Sequence, residues 1–154
     1  MNNHLEFESG LRSLLKGMLF TRFCFETRFS LYFVFEMNGE TEDNGFPGAV
    51  RILLSDWWFG DRDEWELQTK GDWKMEEPLL GVRLVKLRWS GNPVVSDVKL
   101  SKSKVSIFFE TGEIIHSTLP ADGDEFFLRI DEIGGDTWFE ATGYDFYLKD
   151  PKVL

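Results

Sequence analysis

Few residues in this chain of 154 are cysteine or histidine, the soft ligands of a structural zinc site. It contains one cysteine, Cys24, and two histidines, His4 and His116. A lone cysteine cannot form an internal disulfide, which is typical of a protein in a reducing compartment. A structural zinc site needs four such ligands, so three in the whole sequence argue against one. The sequence therefore predicts no metal and no cofactor.

Long apolar runs and leader sequences are also missing. No stretch approaches the roughly 20 apolar residues of a transmembrane helix. The first residues, MNNHLEFESG, lack the basic segment and apolar core of a secretory signal. We therefore expect a cytoplasmic protein that has no membrane partner. The sequence does not indicate its oligomeric state.

Catalytic motifs are absent as well. Neither histidine lies near a G-x-S-x-G turn, and no Lys-Ser or Lys-Thr pair of a phosphate-binding loop follows Gly134-Gly135. The acidic residues 122–125 lack the closing glutamate of a calcium loop. Cys24 stands in an apolar run, so we interpret it as a small strand residue rather than a reactive thiol. We expect a protein that is not an enzyme.

Negative charge is what the chain has in excess. It carries 27 Asp and Glu residues against 17 Lys and Arg residues, a formal net charge of −10. Residues 38–82 and 121–150 each have a net charge of −7, whereas residues 83–104 have a net charge of +5. Nucleic acid would be repelled by this excess, and a basic partner protein would be attracted. The alternative is that the acids provide only solubility.

Apolar side chains alternate along most of the chain with the period of two that is typical of β-strands. Phe33 and Phe35 share one strand face, as do Ile107 and Phe109. The expected fold is mainly β, an antiparallel sandwich or partly open barrel with little helix, and α+β is the alternative. Strands are predicted at residues 18–26, 28–36, 49–57, 64–68, 82–89, 94–100, 104–110, 113–119, 125–130 and 144–148.

Helical periodicity is confined to the N-terminal region. Apolar residues within 11–18 follow the i, i+3, i+4, i+7 spacing of a helix face. Glycine destabilises a helix interior, so we expect Gly10 and Gly17 to limit the length of this helix.

Three segments resemble three later ones in the same order. Residues 14–20 resemble 79–85, residues 33–40 resemble 107–113, and residues 60–67 resemble 122–128. This order predicts a duplicated β-unit inside a single domain, residues 1–154. The units would be residues 14–68 and 79–130, joined by a linker at 69–78 and followed by an extension at 131–154. A β-meander, whose strand–turn–strand segments all look alike, is the alternative.

Two acidic segments supply the residues that we expect to bind a partner. The run Trp57-Trp58-Phe59 alternates faces, so one ring belongs to the core and another is expected to be exposed as an interface anchor. An exposed tryptophan pair would also suit a sugar-stacking platform. The predicted partner-binding residues are Trp58, Asp61, Asp63 and Glu64 in the first unit and Asp122, Asp124 and Glu125 in the second.

The motifs of the second half resemble those of a known group of domains. They run Leu80-Gly81, then Val105-x-Ile107-x-Phe109-x-x-Gly112, then Asp124-Glu125 and Leu128-x-Ile130. This pattern resembles a family of small, acidic, β-rich bacterial domains. Several members resemble immunity proteins that neutralise polymorphic or contact-dependent inhibition toxins. The chain differs by the insertion Ser90-Gly91-Asn92-Pro93, and the resemblance implies no active-site residue.

The resemblance implies a non-catalytic protein that binds and neutralises a cognate toxin domain. A basic nuclease is the expected toxin, because an acidic surface can mimic the phosphates that a nuclease binds. One alternative is a small-ligand or carbohydrate-binding β-module. The other is a structural or interaction protein, since exposed edge strands readily pair with other chains.

Overall fold

Alternating strands and two short helices make up the described part of the protein. The computed structural model describes residues 4–25, 31–37, 47–54, 57–69, 93–101, 104–118, 128–141 and 146–149. The elements within these ranges are α1 (His4–Leu15), β1 (Met18–Phe25), β2 (Leu31–Met37), β3 (Ala49–Leu54), β4 (Trp57–Phe59), α2 (Arg62–Thr69), β5 (Val95–Leu100), β6 (Lys104–Phe109), β7 (Ile114–Thr118), β8 (Leu128–Glu132), β9 (Thr137–Ala141) and β10 (Phe146–Leu148).

The described strands form two antiparallel sheets and close no barrel. One sheet has six strands in the order β1-β2-β3-β8-β9-β10, and the other has four in the order β4-β7-β6-β5. Every neighbouring pair of strands is antiparallel. The predicted fold class, a mainly β antiparallel sandwich with little helix, is confirmed.

Aromatic side chains from both sheets meet in the core. Phe35 of β2 stacks on Phe109 of β6, with ring centroids 6.1 Å apart. Phe20 of β1 also meets Phe109 edge-on at 6.3 Å, and Phe33 meets Trp57 of β4 at 6.2 Å. All five side chains are buried, which confirms the shared face predicted for Phe33 and Phe35. The inner faces of the two sheets therefore pack against each other through these rings.

The N-terminal helix is longer than glycine placement predicts. Helix α1 passes through Gly10 without a break, so the expectation that Gly10 limits it is wrong. Gly17 does follow its end and has a φ of 89°, a conformation that suits glycine. The buried side chains of Leu11, Leu14 and Leu15 supply the packing that offsets the low helix propensity of Gly10.

Polar side chains attach α1 to β5. The backbone N–H of Leu100 donates to Glu8 Oε2 at 2.9 Å, and Arg12 donates to the carbonyl of Val98 at 3.0 Å. The Arg12 guanidinium also pairs with Asp97, which lowers the pKa of that carboxyl. Two backbone groups of β5 thus have their hydrogen bonds completed by helix side chains.

Residues 62–69 form a helix where a strand was predicted at 64–68. The side chain of Asp61 accepts a hydrogen bond from the backbone N–H of Glu64 at 3.0 Å, which is the bond of a helix N-cap. Alternation of Trp65 and Leu67 with polar residues suggests a strand, but the cap and the local helix formers determine the outcome.

The predicted strand at 49–57 is divided between the two sheets. Strand β3 ends at Leu54 in the six-stranded sheet, and Trp57 begins β4 in the four-stranded sheet. Strand β9 was not predicted and lies within the expected C-terminal extension. The predicted strand at 82–89 and the linker at 69–78 fall outside the described residues, apart from Thr69.

Strands from the two predicted units are interleaved in both sheets. Strand β3 of the first unit pairs with β8 of the second, and β4 pairs with β7. The described strands therefore do not separate into one sheet for each unit. The duplication itself stays a prediction.

Neither of the two described helices is long and apolar enough to cross a membrane.

Candidate functional site

The acidic start of α2 holds three of the predicted site residues within four positions. Asp61 caps the helix, and Asp63 and Glu64 lie in its first turn, where carboxylates interact favourably with the helix dipole. All three side chains are exposed. No described residue forms an ion pair with Asp63 or Glu64.

A buried tryptophan fixes α2 to the sheet beneath it. Trp65 is 5% exposed, and its ring lies 5.7 Å from that of Trp57 and 5.5 Å from that of Phe59. Because the helix has this anchor as well as the Asp61 cap, the three carboxylates project from a fixed backbone.

Trp58 differs from expectation because its ring is covered. It is 7% exposed, so the exposed interface anchor predicted at this position is absent. Its ring stacks on His116 of β7 with a centroid distance of 5.3 Å and an interplanar angle of 27°. The Arg62 guanidinium covers the ring at 4.5 Å and donates to Thr118 Oγ1 at 3.2 Å. Arg62 can reach Trp58 because residues 62–69 form a helix.

Four of the seven predicted site residues are therefore close in the chain, within residues 58–64, and three of them face solvent. The other three predicted residues, Asp122, Asp124 and Glu125, lie outside the described residues. Whether they extend the same surface stays a prediction.

A row of side chains crosses the outer face of the four-stranded sheet and includes Trp58. Successive register pairs join Trp58 to His116, His116 to Ser106, and Ser106 to Lys99. The neighbouring positions Val105, Ile107 and Ile115 point to the core. By alternation, the row lies on the face that is turned away from the six-stranded sheet.

Ser106 and His116 form a hydrogen bond that the sequence analysis missed. Ser106 Oγ lies 2.6 Å from His116 Nδ1. Burial lowers the pKa of His116, and the nearby charge of Lys104 lowers it further, so the ring is held neutral at pH 7. In a hairpin whose turn is centred on residue 111, the numbers of two paired residues add up to 222, as those of Ile107 and Ile115 do. The same register pairs Ser106 with His116, so the position of the turn in the sequence predicts this contact.

The serine–histidine pair has the spacing of a nucleophile and a base, but Ser106 is poorly accessible. Its residue is 4% exposed and stands in the middle of β6, so little of its surface is open to a substrate. We therefore interpret the hydrogen bond as structural: it gives Ser106 Oγ and His116 Nδ1 a partner on this face of the sheet. Within the described ranges, no group of three His, Cys, Asp or Glu side chains could hold a metal ion.

Comparison with protein-family models, with curated proteins and with solved structures gave no match.

Proposed function

We propose that this chain is a non-catalytic protein of the immunity type, which binds a basic toxin domain through the acidic start of α2. The observation that carries the proposal is the placement of Asp61, Asp63 and Glu64. Three exposed carboxylates project from one helix start whose backbone is fixed by a cap and by buried Trp65.

Carboxylates on a fixed backbone suit the recognition of a basic protein. The backbone that carries them needs no ordering when the partner arrives, so less backbone entropy is lost on binding. The net charge of −10 adds a long-range attraction that speeds the encounter with a cationic surface. Asp122, Asp124 and Glu125 would enlarge the surface if they lie nearby.

The carbohydrate-binding alternative loses part of its support. It depended on an exposed tryptophan pair, and both Trp57 and Trp58 are buried. Neither ring offers the open face that sugar stacking requires.

The test is co-purification with the C-terminal domain encoded by the gene immediately upstream. We expect one complex that weakens as salt is raised, because the charges at its surface are screened. The double variant Asp63→Lys/Glu64→Lys should weaken binding by roughly tenfold or more and slow association at low salt. Asp61 is left unchanged in this test because its carboxylate caps α2.

A matched charge reversal tests whether the position of the charge matters. Glu36 is an exposed acid on β2, in the other sheet, so Glu36→Lys changes net charge as much as Glu64→Lys does. We expect Glu64→Lys to have the larger effect. Equal effects of the two variants would show that general charge attraction, and not a specific surface, drives binding. A folded upstream domain that forms no complex would contradict the proposal.

A further inference from the structure

We propose that the outer face of the four-stranded sheet binds a small organic anion, a phosphate or carboxylate group on a flat apolar body. The site is a pocket of about 350 Å³ lined by α1, β5, β6 and β7. That volume lies in the range of small-molecule sites. The pocket does not include the start of α2, so this proposal and the proposed function can fail independently.

Two ammonium groups give the pocket its positive charge. Lys99 of β5 and Lys104 of β6 both line the pocket. The end of β5 is joined to the start of β6 by Ser101, whose Oγ accepts from the backbone N–H of Lys104 at 3.1 Å. Among the described residues, no carboxylate lies within ion-pair distance of either ammonium group. An anion would provide the missing partner.

Glu8, the acid among the described lining residues, is already engaged. Glu8 Oε1 accepts from Arg12 at 3.0 Å, and Glu8 Oε2 accepts from the backbone N–H of Leu100 at 2.9 Å. The positive charge of Arg12 compensates the negative charge of Glu8 in this ion pair. Glu8 therefore does not neutralise Lys99 and Lys104. Both lysines belong to the basic segment 83–104 of an otherwise acidic chain.

The serine–histidine pair adds a hydrogen-bond donor. When the Ser106 hydroxyl donates to His116 Nδ1, the neutral ring carries its proton on Nε2. Nε2 has no hydrogen-bond partner in the described part of the chain. An N–H group in a pocket with two ammonium groups suits an oxyanion and not a cation.

An aromatic ring gives the pocket an apolar side. Phe108 lines it and is only partly buried, because it points away from the core. The Lys99 ammonium lies 5.4 Å from the centroid of this ring. A ligand ring stacked on Phe108 would therefore bring an attached anionic group close to Lys99.

The experiment titrates the full chain with phenyl phosphate, benzoate and inorganic phosphate by calorimetry. We expect phenyl phosphate or benzoate to bind at one site with a dissociation constant below about 1 mM. Which of the two binds more tightly identifies phosphate or carboxylate as the preferred group. Inorganic phosphate should bind roughly tenfold more weakly than phenyl phosphate, because it lacks a ring to contact Phe108.

Nuclear magnetic resonance locates the site. The chain has only two histidines, so the ring signals of His116 and His4 can be followed separately. The His116 signal should shift on titration with the tighter ligand, and the His4 signal should not. A bound probe that leaves His116 unmoved would contradict the proposal.

Paired variants separate the pocket from general charge. Lys99→Ala/Lys104→Ala should weaken binding by roughly tenfold or more. Lys16→Ala/Arg22→Ala removes the same charge from exposed positions outside the pocket lining and should leave binding unchanged. Equal losses in the two variants, or no binding of either aromatic probe, would overturn the proposal.

Discussion

The outer faces of the two sheets satisfy their polar groups in opposite ways. On the six-stranded sheet, Asp131 lies between two arginines, 3.0 Å from Arg129 Nε and 3.6 Å from Arg51 Nε. Thr137 Oγ1 also donates to Asp131 at 2.9 Å. On the four-stranded sheet, the row of register partners ends at Lys99, which has no carboxylate partner among the described residues.

At Asp131, the six-stranded sheet pairs opposite charges on neighbouring strands. Around the pocket of the four-stranded sheet, the ammonium groups of Lys99 and Lys104 and the Nε2 of His116 have no ion-pair or hydrogen-bond partner among the described residues. We interpret the Asp131 cluster as a stabilising one and the donors beside the pocket as the binding groups of the proposed anion site.

The largest expected effect comes from the core that both faces share. Phe35 is fully buried and stacks on Phe109 across the two sheets. Phe35→Ala should lower the free energy of unfolding by about 3–5 kcal/mol, because it removes a large apolar side chain and leaves a cavity. Urea denaturation measures this loss. Phe108→Ala on the outer face is the control, and an equal loss there would contradict the assignment of faces.

The next effect tests whether the six-stranded face is a stabilising one. Asp131 is 8% exposed, and Asp131→Asn would leave Arg51 and Arg129 facing each other without the carboxylate. We expect a loss of about 2 kcal/mol in the free energy of unfolding, measured in urea. Asp136 pairs with Lys149 through a largely exposed side chain, so Asp136→Asn should cost less than about 1 kcal/mol. Similar losses of stability in Asp131→Asn and Asp136→Asn would show that the burial of Asp131 does not strengthen its ion pairs.

A smaller effect is expected at the serine–histidine pair. Ser106→Ala removes the hydroxyl bonded to His116 Nδ1 and leaves that nitrogen half-buried without a partner. The expected loss is about 1 kcal/mol in the free energy of unfolding. Ser117→Ala is the control, because Ser117 Oγ is buried and has no hydrogen-bond partner among the described residues, so its removal should not destabilise the fold. A larger loss at Ser117 would contradict this reading.

The same pair should make stability depend on pH. Burial lowers the pKa of His116 below its ordinary value of 6.5, with a further contribution from Lys104. As pH falls below about 6.5, His116 binds a proton in the unfolded chain but not yet in the native protein, where its pKa is lower. The free energy of unfolding therefore decreases. Above that pH both states are neutral at this residue, and the effect vanishes. His116→Gln should show a smaller decrease between pH 7.5 and 5.5, and an identical pH profile would contradict the assignment.

Local pattern predicts the strands better than it predicts their partners. Period two identifies β2 and β6 because Phe33, Phe35, Ile107 and Phe109 fill one core. The same pattern is misleading at residues 64–68, where the Asp61 cap and the packing of Trp65 favour a helix. The β3–β8 and β4–β7 pairings join distant parts of the chain, so no local periodicity specifies them.

The candidate site shows the same limit. The acids at Asp61, Asp63 and Glu64 are exposed as the charge pattern indicates. The burial of Trp58 could not be predicted from local pattern, because the groups that cover its ring, His116 and Arg62, belong to a different strand and to a helix that the pattern does not reveal. The Ser106–His116 hydrogen bond could have been predicted from the sequence, because the hairpin register alone pairs the two residues.

Removal of the two pocket lysines should change stability least of all. Lys99 and Lys104 are exposed, and neither forms an ion pair with a described residue. Lys99→Ala/Lys104→Ala should therefore change the free energy of unfolding by less than about 0.5 kcal/mol without ligand. With a saturating aromatic anion, the native protein should gain stability and the variant should not, because only the native pocket binds it. A large loss without ligand would make these lysines structural, as Asp131 is on the opposite sheet.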